Sequence, residues 1–116
     1  MSVNSPPTIL IAWALVVASG VFEIVFSVQM KESDGFRNLF ASSVAVAAGV
    51  ISIWLMTLAL RTLPLGEAYA VWAGIGTVGT AVAAGVLYGE VFTPAKIVFI
   101  ALVVVGIVGL QWQGSE

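Results

Sequence analysis

The sequence predicts an all-α membrane protein of four transmembrane helices per subunit. Three observations carry that prediction. Hydrophobic residues make up 60% of the chain and charged residues only 9%, whereas a soluble domain carries about 25% charged residues. The apolar residues fall in four runs, each close to the ~20 residues that cross ~30 Å of hydrocarbon as a helix. The runs are continuously apolar, whereas a barrel strand would alternate polar and apolar residues over ~10 positions.

The first run is Thr8–Met30. Its flank, Met1–Pro7, has no Lys or Arg, and the run far exceeds the about 7–15 apolar residues of a signal peptide, so it reads as a retained span. Lys31–Arg37 forms the first connector, with Ser33-Asp34-Gly35 suited to a turn. The second span is Asn38–Leu60, and Arg61–Leu65 leads through Pro64-Leu65-Gly66 into the third, Gly66–Tyr88. Gly89–Pro94 precedes the fourth span, Ala95–Trp112, and Thr93-Pro94 suits a helix start. Connectors this short force neighbouring helices to run antiparallel, in a single transmembrane domain over 1–116. Trp112 reads as an interfacial anchor, whereas Trp72 lies too deep in its span for that role.

The residue inventory excludes whole classes of function. Net charge is −2, from six acids and four bases that lie mostly between the runs or at their ends, which excludes a basic nucleic-acid-binding face. Cys and His are both absent. Disulfides, thiol nucleophiles, zinc sites and His-based acid–base chemistry are thereby excluded, and no metal or cofactor is expected. Lys31, Arg37 and Lys96 fall on one side of the membrane and Arg61 on the other. That bias favours a cytoplasmic location for the first and third connectors and leaves insertion in both orientations open.

Four helices enclose a watered cavity with difficulty, so a second subunit is expected, most simply as a symmetric dimer. Small residues allow close helix contact. Gly106 and Gly109 read either as such a contact surface or as the glycine common in membrane helices.

Glu23 stands alone as a charge inside the first span. A carboxylate near the middle of a bilayer costs about 2.5–3.5 kcal/mol on insertion scales and by default marks a functional site. Residues three and four apart share a helix face, which here holds Ser19 and Gly20 before the acid and Phe26 and Ser27 after it. Small and hydroxylated neighbours leave room for a ligand. Ala45, Ala48, Gly49 and Ser52 form a narrow stripe in the second span; Ser52 reads as a second polar contact or as a serine bonding its own helix. Tyr69, Trp72, Ala73 and Gly76 share one face of the third span. The phenol and indole suit a carboxylate or a planar cation, or else fill the core. Gly74-Ile75-Gly76 and Gly79 weaken the helix and predict either a bend or close packing. Glu67 suits the positive end of a helix dipole, and Glu32, Asp34, Glu90 and Glu116 read as solvated.

Several of these elements together resemble the small multidrug resistance transporters. They are the acid in the first span, Lys31-Glu32-Ser33-Asp34-Gly35-Phe36, the stretch Leu63 through Gly76, and Gly89-Glu90. The similarity runs from Trp13 to Leu110. It implies an antiparallel dimer of identical subunits, or of unlike paralogues, in the plasma membrane of a prokaryote, exporting cations in exchange for protons. Carried over, Glu23 of each subunit binds proton and substrate alternately, and Tyr69 and Trp72 line the site. Ser52 helps to position the glutamates, and Gly74–Gly76 lie where the third helix bends. Gly-Ile-Gly after Trp72 and Gly20-Val21-Phe22 before Glu23 are similar to the guanidinium-exporter branch. That branch usually has Trp then Ala where this chain has Phe26 and Ser27, and Pro at the place of Ala41. Phe26 is expected to widen tolerance for alkyl groups. Export of bulkier quaternary ammonium compounds is the alternative, and a channel, an assembly subunit and a flippase are the rivals from other classes. An enzyme is disfavoured by the lack of His, Cys and paired acids within one span.

Overall fold

A computed structural model describes residues 5–115, so Glu116 and the first four residues lie outside the described part. Four helices follow one another: α1 (Ile9–Glu32), α2 (Leu39–Ala59), α3 (Leu65–Tyr88) and α4 (Pro94–Ser115). All four are long and apolar enough to cross a membrane. Three extend beyond the predicted runs. α1 continues through Lys31 and Glu32, which were expected in a connector, α3 begins one residue early at Leu65, and α4 runs from Pro94 past Trp112.

Local chemistry sets the ends. The Thr8 hydroxyl accepts from the Ile11 N–H at 3.3 Å and opens α1. Ser33, buried, closes it: its hydroxyl donates to the Met30 carbonyl at 2.6 Å and accepts from the Phe36 N–H at 3.2 Å. The expected turn follows at Asp34, Gly35 and Phe36, all at positive φ. Asn38 caps α2 by accepting from the Ala41 N–H at 3.1 Å, and Pro64 precedes α3, whose first turn holds Glu67. Gly89, with φ of 67°, ends α3 in the left-handed conformation that glycine adopts without a steric penalty. Pro94 then starts α4, where it forgoes an N–H that would lack an intrahelical partner anyway.

The helices stand in a row. α1 packs on both α2 and α3, and α4 packs on α3, giving the lateral order α2–α1–α3–α4. The Cα envelope measures 41 × 37 × 17 Å. Helices in contact are spaced ~8–10 Å apart, so four abreast span the second dimension and the third is shallow. The core lies among the first three helices: Ala12, Trp13 and Val16 of α1 meet Met56 and Ala59 of α2, Leu63, and Ala68 and Val71 of α3.

The small-residue stripe of α2 is wider than the sequence suggested. Ala41, Ala45, Ala48, Ser52, Met56 and Ala59 are all buried at helical spacing. α4, by contrast, buries none of its described residues from Pro94 to Gln113. A β-carbon at Gly106 or Gly109 would meet nothing within 4 Å, so neither glycine marks a close helix contact within one chain. α3 is helical without interruption through Gly74 and Gly76. Close packing accounts for Gly74: a β-carbon there would stand 2.6 Å from Ile107 Cγ1 of α4.

Candidate functional site

Glu23 is half-buried on α1 and opens into a cleft of about 680 Å³ on one face of the α1–α3 pair. Ser27, Val28 and Lys31 continue its α1 wall. Tyr69, Trp72, Ala73, Gly76, Thr77, Thr80, Ala81, Ala84 and Tyr88 form the α3 wall, and Glu90 and Lys96 stand at the mouth. Tyr69 and Trp72 meet edge to face, with ring centroids 5.2 Å apart and planes at 61°. Gly76 lies directly against the acid, so the expected grouping of Glu23 with Tyr69, Trp72 and Gly76 forms one surface.

The neighbours of Glu23 divide between two helices, for a reason set by helical pitch. At 3.6 residues per turn, Ser19 and Phe26 lie about 40–60° to one side of Glu23, and Gly20 and Ser27 about 40–60° to the other. The first pair faces α2. Ser19 hydrogen-bonds with Ser52, and the Phe26 ring packs on Gly49, where a β-carbon would stand 3.2 Å from Phe26 Cδ1. The second pair faces α3. Gly20 packs on Ile75, and the Ser27 and Thr80 hydroxyls lie 2.7 Å apart. Gly20 and Phe26, expected in the site, are therefore outside the cleft lining, as helix-contact residues. Ser27 and Thr80 lie within it. Thr80 stands one turn beyond Gly76 on α3, and its part in the cleft shows only once its partner Ser27 is known.

Ser52 lies at the contact between α1 and α2. It is fully buried and outside the cleft lining. Its hydroxyl donates to the Ser19 carbonyl at 2.8 Å, while the Ser19 hydroxyl donates to the Ser52 carbonyl at 2.7 Å. A hydroxyl has one proton and two acceptor positions. With its proton committed, Ser52 Oγ accepts from Trp72 Nε1–H at 3.1 Å. The serine pair thus clamps α1 to α2 and orients the indole of α3; within the chain, Ser52 acts on Trp72 rather than on Glu23.

A second polar group lies at the mouth, where the C-terminal ends of α1 and α3 come together. The Tyr88 hydroxyl donates to Glu32 Oε1, and Lys31 Nζ sits over the Tyr88 ring, 5.1 Å from its centroid. Lys96 Nζ is 3.9 Å from Glu90 Oε1 and 4.7 Å from the Phe92 centroid. Glu32 and Glu90, expected to be merely solvated, have partners in this cluster. Among the described residues no group of His, Cys, Asp and Glu is arranged to hold a metal ion.

Comparison with known proteins agrees with this architecture. Residues 11–103 match the family described as Small Multidrug Resistance protein. Proteins named guanidinium exporter, from Citrobacter freundii and Salmonella typhimurium, are each 41% identical over 100 residues, covering 86% of this chain and 95% of the relative. A guanidinium exporter of Escherichia coli O6:H1 is 42% identical over the same coverage. With four spans and exporter relatives from enterobacteria, this is a multi-pass protein of a prokaryotic plasma membrane, a transporter and not an enzyme. By its sequence match over most of its length, the chain belongs to the small multidrug resistance family.

Proposed function

We propose that the chain is a proton-coupled antiporter that exports guanidinium or small substituted guanidinium compounds, working as an antiparallel dimer. One observation carries this reading: the only charged side chain deep inside a span, Glu23, shares a cleft with the Tyr69 phenol and the Trp72 indole. A carboxylate and aromatic faces together suit a planar cation, which donates a bidentate pair of hydrogen bonds from its edge and stacks on a ring through its plane. The relatives named guanidinium exporter support the same substrate class.

Exchange follows from the arithmetic of one site. A proton and a cation each neutralise the same carboxylate, so binding of one displaces the other. If the site opens to one side of the membrane at a time, protons moving down their gradient expel the cation. The row of four helices leaves the cleft open along one face, and a second copy is expected to close it. Glu23 of two subunits would then titrate as a coupled pair. Gly74–Gly76 remain the proposed bend of α3 during opening.

A cleft of about 680 Å³ in one chain also has room for a bulkier quaternary ammonium ion, which is the second reading. Proteoliposomes decide between them. Guanidinium uptake driven by a pH gradient, with coupled proton release, is expected for the wild-type protein and is lost in Glu23→Gln. Transport that survives Glu23→Gln overturns the mechanism. Movement of a tetraalkylammonium ion without guanidinium overturns the substrate.

A further inference from the structure

The mouth of the cleft contains a cation already bound to an aromatic face, and that cation belongs to the protein. Lys31 Nζ lies 5.1 Å from the Tyr88 ring centroid, inside the ~6 Å over which a ring attracts a cation. The same tyrosine donates its hydroxyl proton to the Glu32 carboxylate, so its ring edge is fixed and its face is presented. Lys31 and Tyr88 both line the cleft that contains Glu23. Along α1, Lys31 is ~12 Å beyond Glu23.

We propose that Tyr88 and Glu32 form a second, transient cation site at the cleft mouth, at which Lys31 is a tethered competitor for the transported cation. This rests on the reading of Glu23 as the central cation site. A guanidinium ion matches the chemistry better than the ammonium it replaces. Its plane stacks on the ring, and its N–H fork meets a carboxylate side-on. The Tyr88 hydrogen bond uses one of the roughly four acceptor positions of Glu32. The site loads and releases easily because Lys31 retakes the ring when the ligand departs. Lys96 does not compete there, being held between Glu90 and the Phe92 ring.

The chain has only two tyrosines, one at each proposed station, which makes the test direct. Full-length protein labelled with 3-fluorotyrosine, in lipid nanodiscs, gives separate fluorine signals for Tyr69 and Tyr88, assigned with Tyr88→Phe. Guanidinium chloride is titrated against sodium chloride of equal ionic strength. The expected result is a saturable shift at both tyrosines with guanidinium alone. Glu23→Gln abolishes the shift at Tyr69 and leaves that at Tyr88. Lys31→Met tightens half-saturation at Tyr88 by about two- to fivefold, the factor equivalent to an exposed cation–π contact, and Glu32→Gln weakens it by at least as much. A silent Tyr88 in both wild type and Lys31→Met, beside a responsive Tyr69, overturns the mouth site and leaves the central one standing. A Tyr88 shift that vanishes with Glu23→Gln also overturns it, since Tyr88 then only reports on occupancy at Glu23. Silence at both tyrosines overturns both readings.

Discussion

Gly76 and Glu23 stand in direct apposition across the α1–α3 seam, so close that a β-carbon on Gly76 would lie 3.0 Å from Glu23 Cγ. The missing side chain on α3 is what gives the carboxylate its place on α1. Gly76→Ala should therefore displace Glu23 by a few tenths of an ångström while improving helix propensity by roughly 1 kcal/mol. Forcing a side chain off its rotamer costs about 0.5–1.5 kcal/mol. The expected outcome is guanidinium binding weaker by roughly two- to tenfold with no loss of thermal stability, read by ligand titration and melting of the same sample.

Ser52→Ala removes the acceptor of the Trp72 indole and one half of the serine clamp. A donor left without a partner away from water costs about 1–3 kcal/mol, and a loss of stability in that range is expected in detergent or lipid. Trp72→Phe removes the donor itself, so the two substitutions should cost less together than the sum of their separate effects. A strictly additive double-mutant cycle would show that the hydrogen bond contributes nothing.

Gly74→Ala tests packing against bending. The new β-carbon meets Ile107 Cγ1 and Cδ1 of α4 at 2.6 and 2.7 Å, and overpacking of this kind costs about 1–3 kcal/mol. Ile107→Ala removes both of those atoms. Recovery of stability in the double variant identifies the glycine as a point of helix contact; failure to recover, with slowed transport, identifies it as a hinge.

Glu67→Gln serves as the contrast to Glu23→Gln. Glu67 sits in the first turn of α3, where a carboxylate gains about 0.3–1 kcal/mol from the helix dipole. A small loss of stability and unchanged guanidinium transport are expected, measured in the same proteoliposomes. A transport defect comparable to that of Glu23→Gln would give Glu67 a role in the cycle.

Much of the site was legible in one dimension. A lone acid in an apolar run is conspicuous because hydrocarbon penalises it, and Tyr69, Trp72 and Gly76 share a face by spacing alone. Gly20, Phe26 and Ser52 were harder. Each lies on a helix face that spacing permits, yet a face about 60° away on a helical wheel belongs to a different neighbour. The lateral order α2–α1–α3 assigned Phe26 and Ser19 to α2 and Gly20 and Ser27 to α3.

Local chemistry was enough to determine four spans, the turns between them, the lack of any thiol or imidazole, and the acid on which transport is proposed to depend. These follow from hydropathy and backbone satisfaction, which each stretch of chain decides for itself. The tertiary arrangement alone decided that Ser52 orients Trp72, that Thr80 joins Ser27 in the cleft, and that Tyr88, Glu32 and Lys31 meet at its mouth. The reason is geometric. A hydrogen bond or a cation–π contact between residues more than fifty positions apart, such as Glu32 and Tyr88 with their separation of 56, exists only after two helices have chosen which faces to press together.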